Sequence, residues 1–314
     1  MSRRFDRWVQ SLFAVAALAA PLVAAAQTVD VEEVEPQEPS DQNFALRAGY
    51  DHVFESHIKN VGGANVSIDN FQTSIGGRFK LSDSVGFTPR FIYSLGAYDF
   101  SDNIRPAGWE NINTYTLLGL LDYKANEHWT LIGGPVFRLS GEGAAAFNNG
   151  FTGGGLAGAV WTPNKDLSLG AGLGIMSQIE DDPGLIPIPI VRWHFADPLT
   201  FKLGISDLGG RTGLGPELIW NISKEVDLGL GAQYQRRRFR MDDHDGNSKG
   251  VGEDTGAPVY ARLTFRPLDQ LSLEGFAGVL AAGELTIQDK NGGHTLDKGY
   301  QTTPTLGLRG EYRF

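Results

Sequence analysis

Charged side chains fall at every second position of segments that are otherwise apolar or small, and that spacing decides what chemistry they can do. Arg47, Arg78, Lys80, Arg90, Arg138, Arg192, Lys202, Arg262, Arg309 and Arg313 occupy the polar parity of their segments, together with Asp51, Glu217, Glu274 and Glu311. Alternate residues of an extended chain face the same way, so these groups are predicted to share one face. Around a narrow wet passage, guanidinium groups favour anions over cations. The strongest candidates for that role are Arg47, Arg78, Arg90, Arg138, Arg192, Arg262 and Arg309. Opposite glutamates on neighbouring strands, the same groups would instead brace a wall through charge-assisted hydrogen bonds.

Three further clusters invite chemistry. Arg236, Arg238 and Arg240 continue the apolar series Val226, Leu228, Leu230, Ala232 and Tyr234 on one parity. If they stand beyond the apolar stretch, their planar forks match phosphate oxygens. Asp242, Asp243, Asp245 and Asn247 gather oxygen ligands around Gly246, as a hard cation requires. The glycine comes too early for a calcium-binding helix–loop–helix and the closing glutamate is misplaced, so no metal site is assigned. The six histidines, His52, His57, His128, His194, His244 and His294, are scattered. His52 lies on the outward parity near the outside end of the first strand with Ser56 nearby, and a hydrolase would also need an orienting group behind the histidine. No phosphate loop or zinc spacing occurs. No catalytic residue and no cofactor is expected, and the chain is read as a non-enzyme.

The elements that position these groups follow from composition and punctuation. Residues 1–26 read as a secretory signal: Arg3, Arg4 and Arg7, an apolar stretch from Ser11 to Val23, and the small residues Ala24 to Ala26. The stretch is shorter than a membrane helix needs and contains Pro21. Its removal leaves 24 basic against 36 acidic residues, a formal charge of −12, which argues against a nucleic-acid partner. Residues 27–42 hold six carboxylates, two prolines and no basic residue, and read as a disordered acidic tail. Zero cysteines exclude disulfides and thiolate metal sites.

From residue 43 onward one device repeats: an aromatic strand end, a few turn-forming residues, and an apolar alternation that resumes at once. Tight turns are predicted between Phe79 and Phe87, Tyr123 and Trp129, Trp161 and Leu167, Phe195 and Phe201, Trp220 and Val226, and Phe265 and Leu271. Longer connections are predicted near 56–66, 99–111, 141–150, 178–184, 206–213, 241–256 and 284–302. Fourteen strands result over 43–314, or twelve if 199–205 and 214–222 fail to span. The apolar parity (Leu46 and Tyr50, Leu117 and Leu121, Leu169 and Leu173, Leu263 and Phe265 among others) suits lipid, while the other parity suits water. No apolar run after the signal is long enough for a membrane helix, and in lipid only helices and closed barrels satisfy the backbone. The prediction is an all-β, closed antiparallel transmembrane barrel with short periplasmic turns and long extracellular loops. A two-sheet sandwich would not set bulky apolar residues so regularly beside every turn.

The chain ends on Leu306, Leu308, Gly310, Tyr312 and Phe314 at alternate positions. That pattern is similar to the C-terminal signal of outer-membrane barrels, except that Arg309 stands where glycine is common. Tyr312 and Phe314 would then be read by the barrel-assembly machinery. The stretches Ser177–Trp193, Tyr234–Met241 and Gly250–Val259 resemble an uncharacterised family of outer-membrane β-barrel proteins filed as a domain of unknown function. The resemblance implies a barrel in the cell outer membrane and no established activity. The expectation is a passive porin-like channel for small solutes with a weak preference for anions, its partners being small anionic solutes, outer-membrane lipid and lipopolysaccharide, the last through Arg236, Arg238 and Arg240. A non-conducting structural or adhesive barrel is the main alternative, and a lipid-modifying barrel enzyme a more distant one.

Overall fold

The computed structural model describes residues 43–101, 109–143, 145–242, 250–289 and 293–314. The signal segment, the acidic tail and Asp243 to Asn247 of the acidic loop lie outside them. Alternation produces strands almost throughout: β1 (Asn43–His57), β2 (Asn65–Lys80), β3 (Val85–Phe100), β4 (Asn111–Lys124), β5 (Trp129–Glu142), β6 (Phe151–Asn164), β7 (Leu167–Gln178) and β8 (Asp181–Ala196). They continue as β9 (Leu199–Leu208), β10 (Arg211–Asn221), β11 (Val226–Ala232), β12 (Gln235–Arg240), β13 (Val251–Leu268), β14 (Leu271–Gln288), β15 (His294–Gly299) and β16 (Thr303–Arg313). One short helix, α1 (Ala145–Asn149), sits between β5 and β6.

From β1 to β11 each strand pairs antiparallel with the next, β11 and β12 both pair with β13, β13 pairs with β14, β14 with β16, and β16 returns to β1, Ala45 opposite Arg313 and Val53 opposite Thr305. The sheet is therefore closed. Strands β11 and β12 keep a single register against β13, from Val226 opposite Phe265 to Arg240 opposite Val251, and form one stave. Strand β15 adds only a hairpin on the far end of β14. The wall thus has fourteen staves, not twelve. Asn43, Phe314 and the six tight turns lie at one end, here the terminal end; the other is the loop end.

Bulky apolar side chains are exposed on the outside of nearly every stave, including Leu46, Ile75, Leu117, Leu131, Leu173, Leu230, Leu263 and Leu308. So continuous an apolar band cannot be left against water and fits the hydrocarbon layer of a bilayer. At the terminal end it is edged by Tyr123, Trp129, Trp161, Trp193, Trp220, Phe265 and Tyr312, as aromatic residues at a membrane interface are. Phe314 closes that edge, stacked 6.1 Å from both Phe44 and Tyr312.

Two connections differ from expectation. Gln178 pairs with Asp181, so the predicted long loop at 178–184 is a two-residue turn. Leu208 pairs with Arg211, so 206–213 is not an outside loop but the tip of a tight hairpin, and that tip lies inside the barrel.

Candidate functional site

The β9–β10 hairpin enters the lumen because its tip finds polar partners there that no outside loop would offer. Gly209 has φ +60°, the left-handed turn conformation that glycine adopts without strain. The Gly210 amide donates to Asp51 Oδ1 at 2.6 Å, and Asn70 Nδ2 donates to Asp51 Oδ2 at 2.7 Å. Gly209 also packs so close to Gly49 of β1 that a Cβ on Gly49 would run into the Gly209 carbonyl. Asp207 is held by Arg90 of β3 at 3.0 Å and by the Thr212 hydroxyl at 2.5 Å, while Arg309 of β16 donates to its backbone carbonyl at 3.2 Å. Arg211 reaches Asp254 of β13 at 2.6 Å, and the hydroxyls of Tyr98 and Tyr300 donate to the same carboxylate. Asp254 is completely buried, with Arg211 6% exposed. Four staves, β1, β3, β13 and β16, thereby grip one hairpin.

The inward course is a curl of the sheet and breaks no register there. Strand β10 pairs with β11 from Asn221 opposite Asp227 to Glu217 opposite Gly231, and Leu214 continues the same register opposite Tyr234. The break lies on the other flank: β8 and β9 pair only from Ala196 and Leu199 up to Val191 and Leu203. Above that point β8 stays in the wall with β7, and β9, β10 and β12 roll inward. The outward face of the roll then meets the inner face of the wall, burying Ile205 with Ile92, Leu118, Val136, Leu156, Met176, Ile186 and Ile188. Its other face sets Leu208 against Tyr260 and Phe276.

This curl corrects the expectation for Arg236, Arg238 and Arg240. They keep the outward parity, yet β12 leans over the loop end and that face is covered. Arg236 and Arg238 both pair with Glu253, at 2.7 and 3.1 Å. Arg238 also donates to the Ile179 carbonyl, and Arg240 to Glu180 and the Asn149 carbonyl. They brace the loop end rather than face lipopolysaccharide. Beneath them Trp109, Phe239, Tyr98, Tyr300 and Ile287 form a buried apolar roof, with Trp109 and Phe239 rings 5.0 Å apart.

Below the hairpin a cavity of about 510 Å³ occupies the half of the lumen nearest the terminal end. Its charged lining comprises ten Lys and Arg against seven Asp and Glu. Most of these groups are tied to one another: Arg47 to Glu311 at 2.5 Å, Arg78 to Asp122 at 2.6 Å, Arg262 to Glu217 at 2.7 Å and Glu274 at 3.3 Å, and Arg313 to Glu311 at 2.5 Å. Arg309 lies within 4.0 Å of Glu274 and 3.7 Å of Glu311. Arg192 and Lys202 stand side by side across the β8–β9 ladder, Arg192 exposed to the cavity. Arg138 is half-buried on β5 between Thr116 and Thr152. The inner parity thus brings together all seven candidate lumen arginines except Arg138, which does not line the cavity.

His52 contacts Asp69 at 2.8 Å, and the same carboxylate accepts the Tyr50 hydroxyl. Ser56 turns away and donates to the Gln301 carbonyl at 2.6 Å. The serine is not with the histidine, and the pair carries no hydrolase. Asp51 faces inward as its parity predicts, whereas Asp207 and Arg211 carry no such signal because their partners stand far off along the chain; the one local clue is Gly209-Gly210 between Leu208 and Arg211, a two-residue hairpin signature.

Several solved structures resemble this one at low identity. An outer membrane channel from Pseudomonas putida F1 is 15% identical, with 90% of this chain and all of that chain covered, at a TM-score of 0.49. A Pseudomonas aeruginosa FadL homologue is 12% identical over 87% of this chain and 90% of that one, at 0.48. The NanC porin is 10% identical over 86% and 98%, at 0.36. No family model and no curated protein matches the chain.

Proposed function

We propose that the chain resides in a Gram-negative outer membrane, with its terminal end in the periplasm, and acts as a passive channel for small solutes with a weak anion preference. The observation that carries this reading is the 510 Å³ cavity, which opens at the terminal end and has three more cationic than anionic groups in its lining. In a confined aqueous space such a surplus raises the local concentration of anions. The ion pairs reduce it to a bias and keep the wall rigid. Solutes cross when the hairpin yields. Purified protein in a planar bilayer should give conductance steps with an anion-selective reversal potential under a salt gradient. Replacing Arg192 and Lys202 with glutamine should move that potential toward zero while leaving unit conductance nearly unchanged. A folded protein that never conducts favours instead a non-conducting structural barrel, a reading supported by the buried roof around Trp109 and Phe239.

Insertion depends on the aromatic end in this proposal. Phe314 exchanges backbone hydrogen bonds with Phe44 at 2.9 and 3.2 Å and presents its ring outward, where the assembly machinery can read it together with Tyr312. Phe314→Ser should lower the amount of heat-modifiable, folded barrel in the outer membrane and leave unfolded chain in the periplasm. An unchanged yield would remove the terminus from this role.

A further inference from the structure

The parted flank between β8 and β9 is written into the sequence of β8. Pro183, Pro187 and Pro189 share one parity. Pro187 lies opposite Leu173 and Pro189 opposite Ala171 on β7. Proline has no N–H to give, so prolines survive in a ladder only where the missing donor would have pointed to the other neighbour. That neighbour is β9, and the same parity lower down, Val191 and Trp193, is where the β8–β9 ladder does form, against Leu203 and Phe201. Along the stretch where β9 leaves, Leu185 is therefore the one residue of this parity between Gly184 and Ile190 that keeps a donor. From Gly184 to Ile190 the parted edge is roughly 20 Å long at strand rise.

An unpaired edge facing hydrocarbon is costly, and bilayer-spanning sheets tolerate one only where it is covered by protein or lines a cavity. Here it has an apolar side and a lumen side. Outside, Leu173, Ile175 and Leu185 stand exposed in the lipid-facing band. In the overlap, Ile186, Ile188 and Ile205 are buried, with Ile190, Leu214 and Tyr234 packed partly buried at its margin. Inside, Ile188, Ile190, Leu203 and Ile205 belong to the cavity wall. One apolar layer therefore runs without a charged side chain from the bilayer to the cavity.

We propose that this seam is a side passage through which small, uncharged, largely hydrocarbon molecules move between the lumen and the membrane. The proposal rests on reading the barrel as a solute channel in an outer membrane, and adds a second solute class with its own exit. Slight separation of β8 from the rolled hairpin opens the layer, and the ladder below Val191 and the Arg238 bond to the Ile179 carbonyl above limit its height.

The test compares two lumen-facing isoleucines of similar burial, Ile188 in the seam and Ile132 behind the continuous β5–β6 ladder. Vesicles with a lipopolysaccharide outer leaflet, carrying the full barrel, are given N-phenyl-1-naphthylamine, and its arrival in the membrane is followed by fluorescence. Wild type and Ile132→Asp should admit the probe at equal rates, while Ile188→Asp should fall to the level of protein-free vesicles. Ile190→Asp, at the more solvated margin, should do the same and guards against misfolding of the first variant; heat-modifiable mobility checks all three. Uptake by Ile188→Asp and Ile190→Asp at the wild-type rate would overturn the side passage, as would equal loss in Ile132→Asp. Anion conductance retained in the Ile188 variant supports two separate routes. Absent conductance with intact, seam-dependent uptake overturns the anion-channel reading and leaves the side passage standing.

Discussion

Arg211→Ala should destabilise the barrel by about 3–5 kcal/mol, the range for removing one partner of a buried ion pair. Asp254 is wholly buried beneath Arg211, and its remaining contacts, from Tyr98 and Tyr300, are neutral hydroxyls. Without the Arg211 guanidinium the nearest cation is Arg237, which meets the Tyr98 hydroxyl at 3.5 Å and makes no bond to the carboxylate in the folded protein, so Asp254 draws a proton, water or Arg237 toward it, and each change loosens the hairpin. Urea unfolding in detergent micelles should show the loss as an earlier midpoint, and single-channel recordings should show more frequent opening. Combining Arg211→Met with Asp254→Asn removes the unpaired charge and should recover a large part of the stability. If the double variant is no better than the single, the cost lies in packing and not in charge.

Gly49→Val should open the lumen with little harm to the wall. Gly49 sits in β1, and the place its Cβ would take is occupied by the Gly209 carbonyl. Two atoms cannot share that place, and a hairpin tip gives way more readily than a strand in a closed ladder. Overpacking of this kind costs on the order of 1–3 kcal/mol, enough to lift the Gly209–Gly210 tip off Asp51 while the Asp207 and Arg211 anchors keep the rest of the hairpin in the lumen. Conductance should rise while the folded, heat-modifiable band persists. Unchanged conductance and unchanged melting would mean the tip does not rest against β1.

Alternation made the lipid face of the barrel legible, because one parity of each strand must tolerate hydrocarbon: Leu46, Leu117, Leu173 and Leu263 are all exposed where that parity puts them. The six turns were legible for a similar local reason. The inward roll was not. Asp207, Arg211 and Thr212 look like loop residues, and only Arg90, Asp254 and Arg309, distant along the chain, turn them into buried ones. Arg236, Arg238 and Arg240 show the limit from the other side: their parity was read correctly, but parity does not reveal that the strand bends under the β7–β8 turn. The prolines at 183, 187 and 189 were in plain view; their meaning needed the ladder, since a proline marks an unpaired edge only once its neighbours are known.

The hairpin also constrains the order in which the barrel is made. Its anchors are 159 residues away at Asp51, 117 at Arg90 and 43 at Asp254, the first two before it in the chain and the third after it, so it cannot be fully seated until the later strands are present. Contacts of such separation form late and slowly. Arg211 and Asp207 must also avoid hydrocarbon until their partners arrive. The hairpin's set of anchors is complete only once β16 has joined β1, because Arg309 of that last strand holds the Asp207 carbonyl, so closing the wall and seating the roll finish together.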